Sequence, residues 1–119
     1  MWTYSQGTGK LFDPNGVHVA TGYSGKGRGK NNCELQHVRN VGPIPQGIYT
    51  IGQAYNSAKV GPFALPLTPD PSNDMGGRSA FLIHGDNKTG TASEGCIILG
   101  RMVRDRLNYS AERLLKVVP

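Results

Sequence analysis

Cysteine is scarce in this chain: Cys33 and Cys96 are the only two in 119 residues. One pair is far from the dense framework that staples small secreted domains, so the sequence reads as made in a reducing compartment, with Cys33 a spectator thiol. Long apolar runs are missing too. Nowhere do enough consecutive apolar residues occur to span a bilayer, and the opening Met1-Trp2-Thr3-Tyr4-Ser5-Gln6 has neither the basic start nor the apolar centre of a secretory signal. Membrane insertion and ordinary export are therefore not expected. The three histidines and two cysteines lie scattered, without the paired spacing that ligates zinc, so no metal and no cofactor is expected.

Thirteen basic against eight acidic residues give a formal charge of +5, with clusters at Lys26, Arg28 and Lys30 and at Arg101, Arg104 and Arg106. Aromatic residues do not interleave with these clusters, Tyr109 at the margin of the second excepted. That argues against nucleic acid and leaves an anionic envelope polymer or an acidic protein as partner. The glycines at 22, 25, 27 and 29 invite a phosphate-loop reading that fails on spacing. Gly22 and Gly27 are correctly separated, but Arg28 and Gly29 stand where Lys and Ser or Thr are required.

What the chain has in quantity is glycine, 17 residues, and proline, 8, punctuating short segments rich in Val, Ile, Tyr and Thr. This pattern predicts a mainly β fold (β-rich α+β) of many short strands, in one domain over residues 1–119 and monomeric. Short extended segments are expected at Trp2–Tyr4 and Lys10–Phe12. Asp13-Pro14-Asn15-Gly16 is a turn, with Val17–Thr21 returning from it and His18 facing solvent. Gly22–Asn40 reads as one long loop ending near a surface His37. The rigid Gly42-Pro43-Ile44-Pro45-Gln46-Gly47 launches a strand over Ile48–Gly52. Residues 53–77 read as a proline-punctuated connector with short strands at Phe63–Leu65 and Leu67–Thr68. A buried strand follows at Ala80–Ile83, then an apolar run Ile97–Leu99. A single short helix over Gly100–Leu107 has Val103 and Leu107 on one face, and Leu114–Val118 forms the last strand.

The densest chemistry lies in Phe81-Leu82-Ile83-His84-Gly85-Asp86-Asn87 and Ser93-Glu94-Gly95-Cys96-Ile97-Ile98-Leu99. One histidine and one cysteine stand at the ends of two apolar segments, joined by a loop whose Gly85, Gly90 and Gly95 let the second fold back on the first. A resting thiol, pKa about 8.5, is mostly protonated at neutral pH, and a neighbouring imidazole is what activates it. Taken alone, Cys96 beside three aliphatics would be a buried small hydrophobe. Gly95 before it and His84 at a strand end shift the balance, since glycine permits close approach of substrate backbone and of oxyanion-stabilising N–H groups.

Ile-His-Gly, a loop, then Ser-x-Gly-Cys-Ile resembles the signature of L,D-transpeptidases, cysteine enzymes acting on the peptide stems of bacterial peptidoglycan. With Ala20–Asn32 and Val41–Gly52, the chain resembles the small L,D-transpeptidase-like toxin domains delivered between bacteria by the type VI secretion system. The resemblance implies an L,D-transpeptidase-like catalytic domain with His84 as base, Gly85 as the carbonyl orienting it, and Cys96 as nucleophile. The Cys96 and Gly95 amides would stabilise an oxyanion, and Ser93 would stand beside them. Attack on the third residue of a tetrapeptide stem expels D-Ala and leaves a thioester. Water then gives L,D-carboxypeptidase activity, whereas an amine gives transpeptidation or D-amino-acid exchange. It also implies synthesis in the cytoplasm, export by the secretion apparatus, action in the target cell's periplasm, and a cognate immunity protein.

Two positions depart from the family pattern. Glu94 stands where many members carry histidine, and Ile98 where many carry arginine or asparagine. Glu94 close to a thiolate would raise its pKa. Arg101 or Arg78 would then replace the missing cation, Arg being suited to carboxylate recognition, although each also reads as a solvated charge. Asp86 binds the diaminopimelate amine or caps its loop. A cysteine amidase or endopeptidase on other peptidoglycan bonds, or a wall-binding module without turnover, are the alternatives.

Overall fold

A computed structural model describes residues 1–119. The chain is mainly β, with ten strands: β1 (Trp2–Ser5), β2 (Lys10–Phe12), β3 (His18–Thr21), β4 (Tyr23–Ser24), β5 (Gly47–Ile51), β6 (Tyr55–Ser57), β7 (Gly61–Pro69), β8 (Phe81–His84), β9 (Ile97–Ile98) and β10 (Leu114–Val118). The one α-helix, α1, covers Arg101–Asn108. No helix is long and apolar enough to cross a membrane.

The sheet runs β3-β2-β1-β10-β5-β7-β8-β9-β4, with β6 paired to β7 outside that path. Its two edges, β3 and β4, are consecutive in the chain, so the sheet curls into a nearly closed barrel with Gly22 at the seam. The Gly22 amide bonds Gly9 O at 2.8 Å, and a Cβ there would overlap the Ile98 carbonyl on β9. Glycine is required by that close approach.

Period-two burial runs in register across the strands. Trp2 and Tyr4 stand beside Leu115 and Val117, Leu115 beside Tyr49, Ile51 beside Leu67, Leu67 beside Phe81, and Leu65 beside Ile83, which pairs Ile97. All of these are buried and belong to one core cluster, so each strand's alternation lines the barrel interior. Leu107 brings α1 into the same cluster. The alternate residues of β8, Leu82 and His84, and Cys96 just before β9 fall on the opposite face.

Two stretches differ from the sequence reading. In the proline-punctuated connector, the two short strands expected at Phe63–Leu65 and Leu67–Thr68 are parts of one nine-residue strand, β7, hairpinned to β6. Its prolines are accommodated: Pro62 lies next to the hairpin turn, Pro69 ends the strand, and Pro66 still offers its carbonyl to the Gly52 amide at 2.8 Å. The long loop is likewise interrupted by β4, which pairs β9, and by short 3-10 turns at Gly27–Gly29 and Cys33–Leu35.

Candidate active site

The parallel pair β8·β9 sets the geometry. Ile83 stands beside Ile97 and His84 beside Ile98, which puts Cys96 level with Leu82 and on the face that carries His84. The Leu82 amide donates to Cys96 Sγ at 3.3 Å. Leu82, His84 and Cys96 together line a cleft of about 590 Å³. His84 and Cys96 are not hydrogen-bonded to each other; they share the cleft.

His84 is buried, and its Nδ1 lies 2.9 Å from the carbonyl oxygen of Gly85. A carbonyl only accepts, so Nδ1 carries the proton and Nε2 keeps a free lone pair. Burial lowers the imidazole pKa, and the nearby Arg104 charge adds to this, against the raising pull of Gly85 and Asp86. Burial likewise pushes the Cys96 thiol up, and the Glu94 charge acts in the same direction. The Leu82 N–H, Lys59 and Arg78 pull it down. The resting pair is therefore a neutral thiol and a neutral imidazole, with cations positioned to favour the thiolate once the proton leaves.

The turn leading to Cys96 is held by two buried polar side chains. Ser93 Oγ donates to Cys96 O at 2.6 Å and accepts the Gly25 and Gly95 amides at 2.9 and 3.1 Å. The Arg78 guanidinium, 7% exposed, donates to four carbonyls: Gln36 and Pro43 through Nη1, Gly42 and Glu94 through Nη2. Arg78 thus ties the loop before β5 to the residue two before Cys96. This accounts for Gly95, whose φ is +135°. A Cβ there would overlap Arg78 Nη2 and come within 2.9 Å of Phe81 Cε1. The Gly95 amide is already committed to Ser93, whereas the Cys96 amide has no acceptor in the chain.

Of the residues singled out in the sequence, the cleft brings together Cys96, His84, Arg78 and Glu94. Gly85 orients His84, and Ser93 and Gly95 shape the turn. Arg101 lies outside the cleft: it pairs with Asp105 at 3.4 Å and stacks 4.1 Å over the Phe63 ring. Asp86 is exposed and caps its loop, accepting the Asn87 amide at 2.8 Å and the Tyr23 hydroxyl at 2.6 Å. That hydroxyl also accepts the Ala92 amide at 2.9 Å, so Tyr23 pins the loop between His84 and Cys96. Arg104, read in the sequence as part of a basic surface, is buried and donates to the carbonyls of Leu99, Pro62 and Phe63. A Cβ on Gly85 would come within 2.8 Å of its Nη2.

Sequence reasoning missed Arg39 on one segment of the cleft wall and Tyr55, Ser57 and Lys59 on the β6–β7 hairpin. No local signal marks them, because they reach the cleft only through the β7·β8 pairing and the folding back of the long loop. No three His, Cys, Asp or Glu side chains converge to hold a metal ion.

No curated protein and no solved structure matches the chain. Residues 18–118 match the model of the Tlde1 domain, a family of type VI secretion effector toxins, and the chain belongs to that family.

Proposed function

We propose that this effector domain is a cysteine enzyme that acts on the tetrapeptide stems of peptidoglycan as an L,D-carboxypeptidase, an L,D-transpeptidase, or both. The observation that carries the reading is the 2.9 Å bond from His84 Nδ1 to Gly85 O, which leaves Nε2 as a base in the cleft it shares with Cys96. Nε2 takes the Cys96 proton as Sγ attacks the carbonyl of the third stem residue, and the unpaired Cys96 amide receives the oxyanion, a donor worth about 3 kcal/mol. Collapse breaks the C–N bond, and His84 returns the proton to the departing D-Ala amine, leaving a thioester on Cys96. Water or an amine, deprotonated by His84, then attacks the thioester and releases the thiol. Substrate binding draws the separate thiol and imidazole together, as apo sites of this kind permit. Action on the wall places the work in the target cell's periplasm and calls for a cognate immunity protein.

Mass analysis of tetrapeptide muropeptides, incubated with wild type or Cys96→Ala and with or without a D-amino acid, tests this. Loss or replacement of the terminal D-Ala by wild type alone is expected. Cleavage elsewhere in the stem or cross-link points to an amidase or endopeptidase, and unchanged muropeptides to a wall-binding module.

A further inference from the structure

The cleft carries two cations that form no ion pair. Arg39 and Lys59 come from different segments, the loop before β5 and the turn between β6 and β7, and both line the cleft that holds Cys96. Both are exposed, and neither is among the four ion pairs of the chain. Lys59 is nonetheless anchored at its backbone: Ser57 Oγ accepts the amides of Lys59 and Val60, each at 3.2 Å, leaving the ammonium free. Arg78 also faces the cleft, but its Nη atoms are spent on carbonyls. Glu94 is the single carboxylate in the lining. A cleft with two unpaired cations beside a candidate nucleophile attracts an anionic group, and Arg and Lys suit a carboxylate.

We propose that Arg39 and Lys59 form a carboxylate-binding subsite beside Cys96, so that the cleft selects peptides bearing a free carboxylate next to the carbonyl under attack. The proposal rests on the cysteine-nucleophile reading and sharpens it. The carboxylate held is that of the terminal residue of the proposed tetrapeptide stem, so a stem amidated or extended there loses this contact and is turned over more slowly. Lys59 pulls the Cys96 pKa down in the free cleft, which sets its charge near the candidate nucleophile.

Alkylation tests this without turnover. In a Cys33→Ser background, the rates of Cys96 modification by iodoacetate and by iodoacetamide are compared in the parent, Arg39→Met, Lys59→Met and Lys59→Arg. Both reagents meet the same thiolate, so the ratio of rates cancels any change in its population and reports the charge beside it. The parent ratio should exceed that of a free thiol, fall about threefold with each cation removed, and return in Lys59→Arg. An unchanged ratio in both Met variants overturns the subsite, whatever the muropeptides do. Turnover of free-acid and C-terminally amidated tetrapeptides is then compared. Equal rates on the two overturn the selectivity, whereas an intact iodoacetate preference with no turnover of either keeps the subsite and refutes the enzymatic reading.

Discussion

Replacing Gly95 by alanine isolates what the residue before Cys96 does. At φ +135° an L side chain is strained, by about 1 to 3 kcal/mol. The new Cβ would also overlap Arg78 Nη2, whose bonds to Gly42 O and Glu94 O measure 3.1 and 3.0 Å. Each bond from a charged donor contributes about 1.5 to 3 kcal/mol, and Arg78 is too enclosed to find water in exchange. Allowing for partial relaxation, the cost is about 4 kcal/mol, a fall in melting temperature of roughly 15 °C for a domain of this size. Thermal unfolding of Gly95→Ala is to be set against Gly16→Ala, which also replaces a glycine at positive φ, +82°, but with no atom within 4 Å of the added Cβ. The excess loss in Gly95→Ala reports the displacement of Arg78 together with the closer contact on Phe81. Equal losses would refute the claim that the arginine clamp demands this glycine.

Glu94→Gln removes a charge that raises the Cys96 pKa, so alkylation of Cys96 at pH 7.5 should speed up about twofold, and a slower rate would contradict the placement of Glu94 at the cleft. His84 ionises below its ordinary value near 6.5 because burial disfavours the cation. The unfolded chain therefore binds its proton more readily, and this contribution to stability, present above about pH 6.5, is lost as pH falls through the folded value. Denaturant unfolding at pH 7.5 and 5.5 should show that loss in wild type and little of it in His84→Gln. The lowered Asp13 and Asp70 carboxyls start from 3.8 and act only at lower pH. Tyr23→Phe deletes the hydroxyl shared by Asp86 and the Ala92 amide, so hydrogen exchange across residues 86–93 should accelerate while that of β5 and β10 does not; uniform acceleration would mean global destabilisation instead.

The strands that the sequence reveals are those whose alternation lines the barrel: Trp2 and Tyr4, Tyr49 and Ile51, Leu115 and Val117. The helix shows itself through Val103 and Leu107. Strand β7 shows in the sequence only as two short pieces, Phe63–Leu65 and Leu67–Thr68, because proline reads as a breaker, and only its neighbours reveal that Pro66 can keep its place with a missing N–H. Phe63, at φ +56°, is a further irregularity that no pattern announces; its carbonyl is held by Arg104. Strand β4 is two residues long and exists because β9 offers it a partner.

At the candidate site, legibility follows distance along the chain. His84, Gly85 and Cys96 fall within one strand-loop-strand segment, so the orienting carbonyl is adjacent to the ring it holds. The charges around that pair are supplied from elsewhere, and here position in sequence misleads. Arg101, the nearest downstream cation, turns onto Phe63, whereas Arg104 and Arg78 are drawn inward because carbonyls at chain reversals need donors, and one guanidinium supplies up to five in a fixed planar fork. That internal demand commits the Arg78 and Arg104 guanidinium groups to the scaffold, whereas Arg39 and Lys59, the residues of the proposed subsite, have no carbonyl to satisfy. In a small barrel with many non-regular turns, then, an arginine near the motif is more readily consumed by the scaffold, and the cations free to meet a ligand stand on the segments that the fold brings in last.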